Sequence, residues 1–369
     1  MIASERVIFH LATLKFMSAG LTARQGMTMA TTGVAVVGCG MIGGVHVTAL
    51  KEVPDARAVG AWSRSPERTQ QFAAQHQIRG YKSYQELLAD RAVDAVIIAL
   101  QSGYHAEYGI KAAEAGKHVI VEKPIDVTEA KARSLIEACR KAGRHLSVVF
   151  QNRYAPASQK VRKALDAGLL GKLVLGDAYI KWWRSAQYYA SSPWRGTKTI
   201  DGGGSLINQA IHTIDLLQWF MGGAKRVSGL VRTSTHAIES EDLGIATVEF
   251  LSGAVGVIEG TTAVQPGFKE RLEIHGQKGS VTLEGGFVTS WKVEGCAEAD
   301  YVDLQPVSVG GSASPVISHE RHQAQLADII AAIQAGKPSP VSGEEGLKAL
   351  KIILGIYESS ATGRWVDVA

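Results

Sequence analysis

From Gly33 to about Val149, short apolar runs rich in β-branched residues alternate with stretches of helical periodicity. GVAVVG leads into a helix near Met41 to Lys51, RAVGAW into one from Pro66, DAVIIAL into one from His105 and HVIVEK into one from Thr128, before a last run, LSVVF. Five strands alternating with helices predict βαβ units and a parallel sheet. The runs are continuously apolar, as strands covered on both faces should be. After Gln151 the pattern changes. Helices over Pro156 to Ala167 and Leu206 to Phe220 are followed by RVSGLVRTST, IATVEFLSG, AVGVIEGTTA and ERLEIHGQKGSVTLEGG, separated by glycine-containing turns. These predict a mostly antiparallel sheet. Helix returns over Ser318 to Ala335 and Gly343 to Ser359, divided by AGKPSP. The expected fold class is α/β. A doubly wound parallel sheet over 30–150 is followed over 151–369 by an α/β domain with a large, mostly antiparallel open sheet, and the C-terminal helix can pack back on the first domain. Residues 1–29 are expected to be extended or disordered.

Composition agrees with two ordinary globular domains: 369 residues, 46% hydrophobic, 20% charged, with a net charge of +4. The basic residues are spread along the chain, so nucleic acid is not an expected partner. The most apolar windows, such as Val93 to Leu100, are far shorter than the ~20 residues of a membrane-spanning helix. No membrane partner is expected. Cys39, Cys139 and Cys296 form no CxxC pair, which argues for a reducing, cytoplasmic compartment and no metal. The stretch VIFHLATLKFM lacks the arrangement of an export signal, and Met27 or Met29 is the expected first residue.

The first strand runs into Gly38-Cys39-Gly40-Met41-Ile42-Gly43, a GxGxxG that opens a helix. In that context Gly38 allows a tight turn, Gly40 lets backbone approach a pyrophosphate on the helix N-terminus beside Met41 and Ile42, and Gly43 permits close packing of helix on strand. A dinucleotide cofactor is implied. At the end of the second strand, where NAD enzymes usually carry an acidic residue for the ribose, stand Ser63 and Arg64. A neutral residue beside a cation leans toward NADP over NAD. Stacking of Arg64 on adenine would suit either.

Three motifs in order, the GxGxxG, then Glu122-Lys123-Pro124, then Gly202-Gly203-Gly204 leading to Asn208 and His212, together resemble the Gfo/Idh/MocA oxidoreductase family. The resemblance runs from about Gly33 to the C-terminus. It implies a Rossmann domain, a C-terminal domain whose open sheet commonly makes a homodimer or homotetramer, and hydride transfer to or from a secondary hydroxyl of a sugar or cyclitol. Lys123 ends the fourth apolar run, at the carboxyl edge where open α/β sheets bind ligands. An ammonium there can stabilise a developing alkoxide. A solvated surface lysine is the plain alternative, and the family signature argues for catalysis.

Asn208, His212 and Asp215 fall on one stripe of an apolar helix. With the family match, His212 is the expected general base, Asn208 a catalytic or substrate-orienting neighbour, and Asp215 a helix support. The family often has Asp where Asn208 stands, so an Asp-to-His relay is in question. Further cofactor contacts are expected at Gln101, His105 and Glu122, with Lys123 shared between cofactor and chemistry. Substrate contacts are expected at Asn152, Arg153, Tyr188 and Arg195, within the aromatic and basic stretch from Trp182 to Arg195 that can stack on a sugar face. His319 and His322 can approach the cleft from the last domain.

The leading reading is an NAD(P)-dependent dehydrogenase of a ring hydroxyl, at C3 of a sugar, glycoside or nucleotide sugar. Competing readings are an inositol dehydrogenase, a glycoside-cleaving enzyme that oxidises and eliminates with tightly held NAD, and a non-catalytic dinucleotide sensor.

Overall fold

The computed structural model describes residues 31–303 and 318–369; the segment 1–29 discussed above lies outside them, apart from which Thr32–Ala369 forms one compact unit. Its first sheet contains β1 (Thr32–Val37), β2 (Ala56–Trp62), β3 (Arg79–Gly80), β4 (Ala95–Ile98), β5 (His118–Val121) and β6 (Leu146–Val148). The intervening helices are α1 (Met41–Leu50), α2 (Pro66–His76), α3 (Tyr84–Ala89), α4 (His105–Glu114) and α5 (Glu129–Lys141). All pairings are parallel, in the order β3-β2-β1-β4-β5-β6. This is the doubly wound dinucleotide-binding topology, in which the strand order reverses between β1 and β4 and opens a crevice at the carboxyl ends. Every residue of β1 and β4 is buried, which is why both read as unbroken apolar runs. Helix starts are fixed by hydroxyl caps: Ser65, Ser83 and Thr128 accept from the backbone N–H three residues on. The sixth strand, β3, is a two-residue edge strand in a polar stretch, too short to leave a pattern.

The second half contributes α6 (Pro156–Asp166), β7 (Leu173–Lys181), α7 (Ala186–Ala190), a π turn (Ser205–Ala210), α8 (Ile211–Met221), β8 (Ala224–Arg232), β9 (Leu243–Phe250), β10 (Val255–Thr261), β11 (Arg271–Gly276), β12 (Gly279–Glu284) and β13 (Phe287–Val293). With β14 (Val366–Asp367) these form an eight-stranded sheet ordered β13-β12-β11-β7-β10-β9-β8-β14. Only the β7–β10 pairing is parallel. The helix expected over Leu206 to Phe220 is not continuous. Its first turn and a half is a π turn, and regular α-helix begins only at Ile211. Helix α8 is buried against one face of this sheet, its Met221 closing on Gly176 of β7. The opposite face leaves Leu230, Ile245 and Val255 about half exposed.

The chain then returns to the first sheet. In α9 (Glu320–Ala335), Leu326, Ile329 and Ile330 pack with Val47 and Leu50 of α1 and with Val34 and Val36 of β1, while Gln325 donates to the Val148 carbonyl at 2.9 Å. Helix α10 (Gly343–Thr362) packs on both β6 and β8, tying the two sheets together. Among the described residues, no helix is long and apolar enough to cross a membrane.

Candidate active site

The glycines of the first turn have different neighbours. Gly38 has φ +123°, and a Cβ there would lie 2.3 Å from the Ala99 carbonyl oxygen, so the turn excludes any side chain. A Cβ on Gly43 would strike the Gly38 carbonyl oxygen, which sets how closely α1 approaches β1. Gly40, by contrast, opens onto free space: among the described residues nothing lies within 4 Å of a Cβ placed there. It is the N-cap of α1 and provides no side-chain cap, so the first-turn amides at Met41 and Ile42 are presented to that space with no acidic residue near them. An open cradle over an uncapped helix N-terminus fits a dinucleotide pyrophosphate.

Around it, the expected cofactor residues divide. Arg64 lies 4.2 Å above the Tyr104 ring and donates to Gln101 Oε1 at 3.0 Å, so these side chains form one exposed cluster at the strand ends. Ser63 does not join them. Its hydroxyl donates to the Ser65 carbonyl and pairs with Thr69, fastening the start of α2, and it is buried. His105 is likewise corrected from cofactor contact to brace: both ring nitrogens face backbone carbonyls, of Pro124 at 2.7 Å and Leu100 at 3.0 Å, and the residue is buried. The Glu122 carboxylate is buried and engaged by protein groups. It meets His46 Nε2 at 2.8 Å, lies 3.8 Å from His322 Nε2, and accepts from the Lys123 backbone N–H at 3.1 Å. Burial works against its charge, yet the His46 hydrogen bond and nearby cations bring its pKa down to about 2. The donor atoms of His46, Glu122 and His322 lie within 4.8 Å of one another; His46 Nε2 bonds Glu122, while His46 Nδ1 and His322 Nδ1 are buried without a hydrogen-bond partner among the described residues.

Lys123 extends from the end of β5 to the π turn, where its Nζ donates to the Asn208 carbonyl at 3.0 Å. The π turn thus offers the lysine a main-chain acceptor at the site. Burial lowers the Lys123 pKa, opposed by the charges of Glu122 and Asp201. His212, in the first turn of α8, has a buried Nδ1 with no hydrogen-bond partner among the described residues and meets Phe150 edge to face. Burial, and next the Lys123 charge, hold its pKa well below the usual histidine value, so the imidazole is neutral and able to accept a proton.

The polar stripe Asn208, His212, Asp215 does not face one site. Asp215 turns away to form a buried two-point ion pair with Arg153, at 2.7 and 2.6 Å, and Arg153 also reaches Glu345 at 3.0 Å. Arg153 is therefore corrected from a substrate contact to an internal strut joining α8 to α10. Asn208 faces the cleft wall instead, where its side-chain amide donates to Asp201 and accepts from Gln209. Tyr188 and Arg195 are brought together, with Arg195 Nη1 donating to the Tyr188 hydroxyl at 2.7 Å. Asn152 accepts from Arg321 at 3.1 Å. Tyr189 is in the core, bonded to Thr262, and His319 pairs outside with Glu52. The Gly202–Gly204 run packs against protein: a Cβ on Gly204 would lie 1.8 Å from the Glu241 carbonyl oxygen, and the buried Glu241 carboxylate accepts from the Gly204 and Leu206 N–H groups.

Sequence reasoning missed His46, Asp201 and Gln209. Each left a faint signal: His46 is the one ionisable residue in MIGGVHVTAL, Asp201 immediately precedes the glycine run, and Gln209 adjoins Asn208.

Two family models match. Residues 32–150 match the oxidoreductase family with an NAD-binding Rossmann fold, and residues 158–282 match the GFO/IDH/MocA C-terminal domain. The scyllo-inositol 2-dehydrogenase (NAD(+)) of Bacillus subtilis is 30% identical over 281 residues, covering 73% of this chain and 80% of that protein. Among solved structures, the WlbA dehydrogenase from Bordetella pertussis, in complex with NADH and UDP-GlcNAcA, superposes with a TM-score of 0.83 at 29% identity, covering 93% of this chain and 99% of that one. A levoglucosan dehydrogenase in complex with NADH and levoglucosan superposes with a TM-score of 0.80 at 25% identity, over 91% of this chain and 99% of that one.

Proposed function

This chain belongs to the Gfo/Idh/MocA oxidoreductase family and is an NAD-dependent oxidoreductase of CH–OH groups; from that premise we propose that it acts on a secondary ring hydroxyl, at C3, of a sugar, glycoside or nucleotide sugar. The observation that carries the reading is the pairing of Lys123 Nζ with the Asn208 carbonyl beside a neutral His212, at the carboxyl edge of the sheet whose first turn is the open glycine cradle. Relatives that act on inositols and a neighbour bound to a nucleotide sugar support a polyhydroxylated ring as substrate.

Gly38, Gly40 and the Met41 and Ile42 amides would hold the pyrophosphate, with Arg64 and Gln101 toward the ribose. When bound, the nicotinamide supplies the two-electron acceptor. The Lys123 ammonium donates to the substrate oxygen and stabilises negative charge as it develops there. His212 accepts the hydroxyl proton, its neutral form secured by burial and by the lysine. Glu122 and Asp201 supply the negative charge that opposes deprotonation of the buried lysine. NAD is the favoured cofactor, supported by the NADH complexes of the neighbours. The lean toward NADP loses Ser63, whose hydroxyl is committed to α2.

The reading extends to a homodimer or homotetramer through the open sheet face, supported by half-exposed Leu230 standing directly opposite Ile245 on adjacent strands. It also extends to the cytoplasm, supported by three unpaired thiols. The test is absorbance of reduced nicotinamide with a panel of sugars, glycosides, inositols and nucleotide sugars. Lys123→Ala is expected to lower kcat by on the order of 10³-fold while NADH binding, followed by fluorescence, is retained. Full turnover in that variant would overturn the assignment.

A further inference from the structure

The cleft wall beyond Lys123 is a line of hydrogen bonds whose polarity is fixed at both ends. The Asp201 carboxylate accepts from Asn208 Nδ2, which leaves Asn208 Oδ1 to accept from Gln209 Nε2 at 2.6 Å. Gln209 Oε1 accepts from the Arg184 guanidinium at 3.1 and 2.8 Å. The Tyr188 hydroxyl accepts twice, from Gln209 Nε2 at 2.8 Å and from Arg195 Nη1 at 2.7 Å. A carboxylate only accepts and a guanidinium only donates, so neither amide can be reversed. Within the wall Gln209 Oε1 accepts two bonds and Asn208 Oδ1 one. It still offers donors: the O–H of Tyr188 and the remaining N–H groups of Arg184 and Arg195.

Two cations stand against one carboxylate here: Asp201 acts on Arg195 and Tyr188 from the far end of the line, but it is hydrogen-bonded to Asn208 rather than to either arginine. Both arginines are half-buried and lie over the Tyr188 ring, at 5.4 and 4.2 Å. Among the described residues their hydrogen-bond partners are all neutral: Gln209 and the Trp183 carbonyl for Arg184, Tyr188 and Ser191 for Arg195. A neutral sugar hydroxyl brings a proton that needs an acceptor, and the wall is poor in them: Gln209 Oε1 already accepts twice and Asn208 Oδ1 once. An oxyanion brings only acceptors, and its bonds to guanidinium are the stronger kind.

We propose that this wall is a subsite for an anionic group carried by the sugar, a carboxylate or a phosphate, bound by Arg184, Arg195 and the Tyr188 O–H while the reacting hydroxyl lies at Lys123. The position of that hydroxyl rests on the dehydrogenase reading, but binding of the anion is measured without turnover.

Calorimetry on the NADH-bound enzyme compares methyl β-glucoside with methyl β-glucuronide, glucose 1-phosphate and UDP-glucuronate at low and high salt, in wild type and in Arg184→Gln and Arg195→Gln, with melting curves to verify folding. At least one anionic probe is expected to bind about tenfold or more tighter than the glucoside, with the advantage shrinking in salt and largely lost in both variants. The glucuronide and phosphate arms decide which oxyanion is preferred. Equal affinity for neutral and anionic probes, or an advantage that survives both substitutions, overturns the proposal. Turnover of neutral sugars with no anion advantage rejects the subsite and leaves the dehydrogenase reading intact; arginine-dependent anion binding with no turnover of any probe does the reverse.

Discussion

Asp201 holds the side-chain amide of Asn208, seven residues further along the chain, and the same carboxylate bears on the charge of Lys123. The family resemblance places an aspartate where Asn208 stands; here a carboxylate reaches that point from the preceding loop. Burial raises the Asp201 pKa, opposed by the Gly196 N–H and Asn208. Asn208→Asp would set a second carboxylate against the first, and two such groups in hydrogen-bond reach share a proton. The expected outcome is a fall of about tenfold or more in kcat/KM at neutral pH, with the acid limb of the pH profile moved upward. A profile that overlays wild type would count against this role for Asp201.

Gly38 and Gly40 make opposite predictions from one motif. Gly38→Ala forces a Cβ to within 2.3 Å of the Ala99 carbonyl oxygen at a positive φ, so the variant is expected to lose stability by several kcal/mol or fail to fold. Gly40→Val meets open space in the protein and should leave the melting temperature nearly unchanged. It fills the approach to the α1 N-terminus, and cofactor KM should rise about tenfold or more. Melting curves and cofactor titration on the two proteins separate fold from binding.

Stability should fall as pH drops below neutrality, and His322 is one named cause. Burial lowers its pKa to about 4, from an ordinary value of 6.5. Between those values the unfolded chain takes up a proton that the folded chain refuses, so the contribution is complete above 6.5 and is lost toward 4. Glu122, lowered from 4.5 to about 2, adds its own loss only once the pH falls below about 4.5. From pH 7 to pH 5 the loss from His322 is about 2 kcal/mol. The gap between denaturant midpoints at the two pH values should narrow in His322→Gln, with His212 and His118, also lowered by burial, supplying the remainder; an undiminished pH dependence in that variant would assign the effect elsewhere.

The Arg153–Asp215 pair is a matter of folding rather than turnover. Removing Asp215 takes away the two-point partner and leaves the buried guanidinium only Glu345, so Asp215→Ala is expected to cost about 3 kcal/mol. Substrate KM, measured on the folded fraction at low temperature, should stay within about twofold. A KM rise without loss of stability would return Arg153 to the cleft.

The first sheet was legible because its strands are buried on both faces and therefore apolar throughout, and because the glycine spacing has a mechanical reason at each position. Lys123 and His212 were legible through motif order. What the sequence concealed was direction. Periodicity placed Asn208, His212 and Asp215 on one α-helical stripe, but a π turn changes the register ahead of His212, and the three side chains go to three destinations. Strand β7 was hidden by the Gly176 and Asp177 interruption of its apolar run, and its parallel partner in β10 stands 80 residues further along the chain. Arg153 looked available because a sequence shows a cation without showing the carboxylates folded around it.

The return of α9 onto α1 and β1 also imposes an order on biosynthesis. The dinucleotide-binding half is the first to leave the ribosome, yet the apolar cluster that α1 and β1 share with Leu326, Ile329 and Ile330 stays incomplete until those residues have been made and delivered across the whole second domain. Until then that cluster lacks one of its packing partners, an aggregation-prone state that contacts of such long sequence separation are slow to relieve. A nascent chain halted before α9 is therefore a two-domain protein in outline whose cofactor half is still open at the back, and a fragment cut at the end of β6 inherits the same wound.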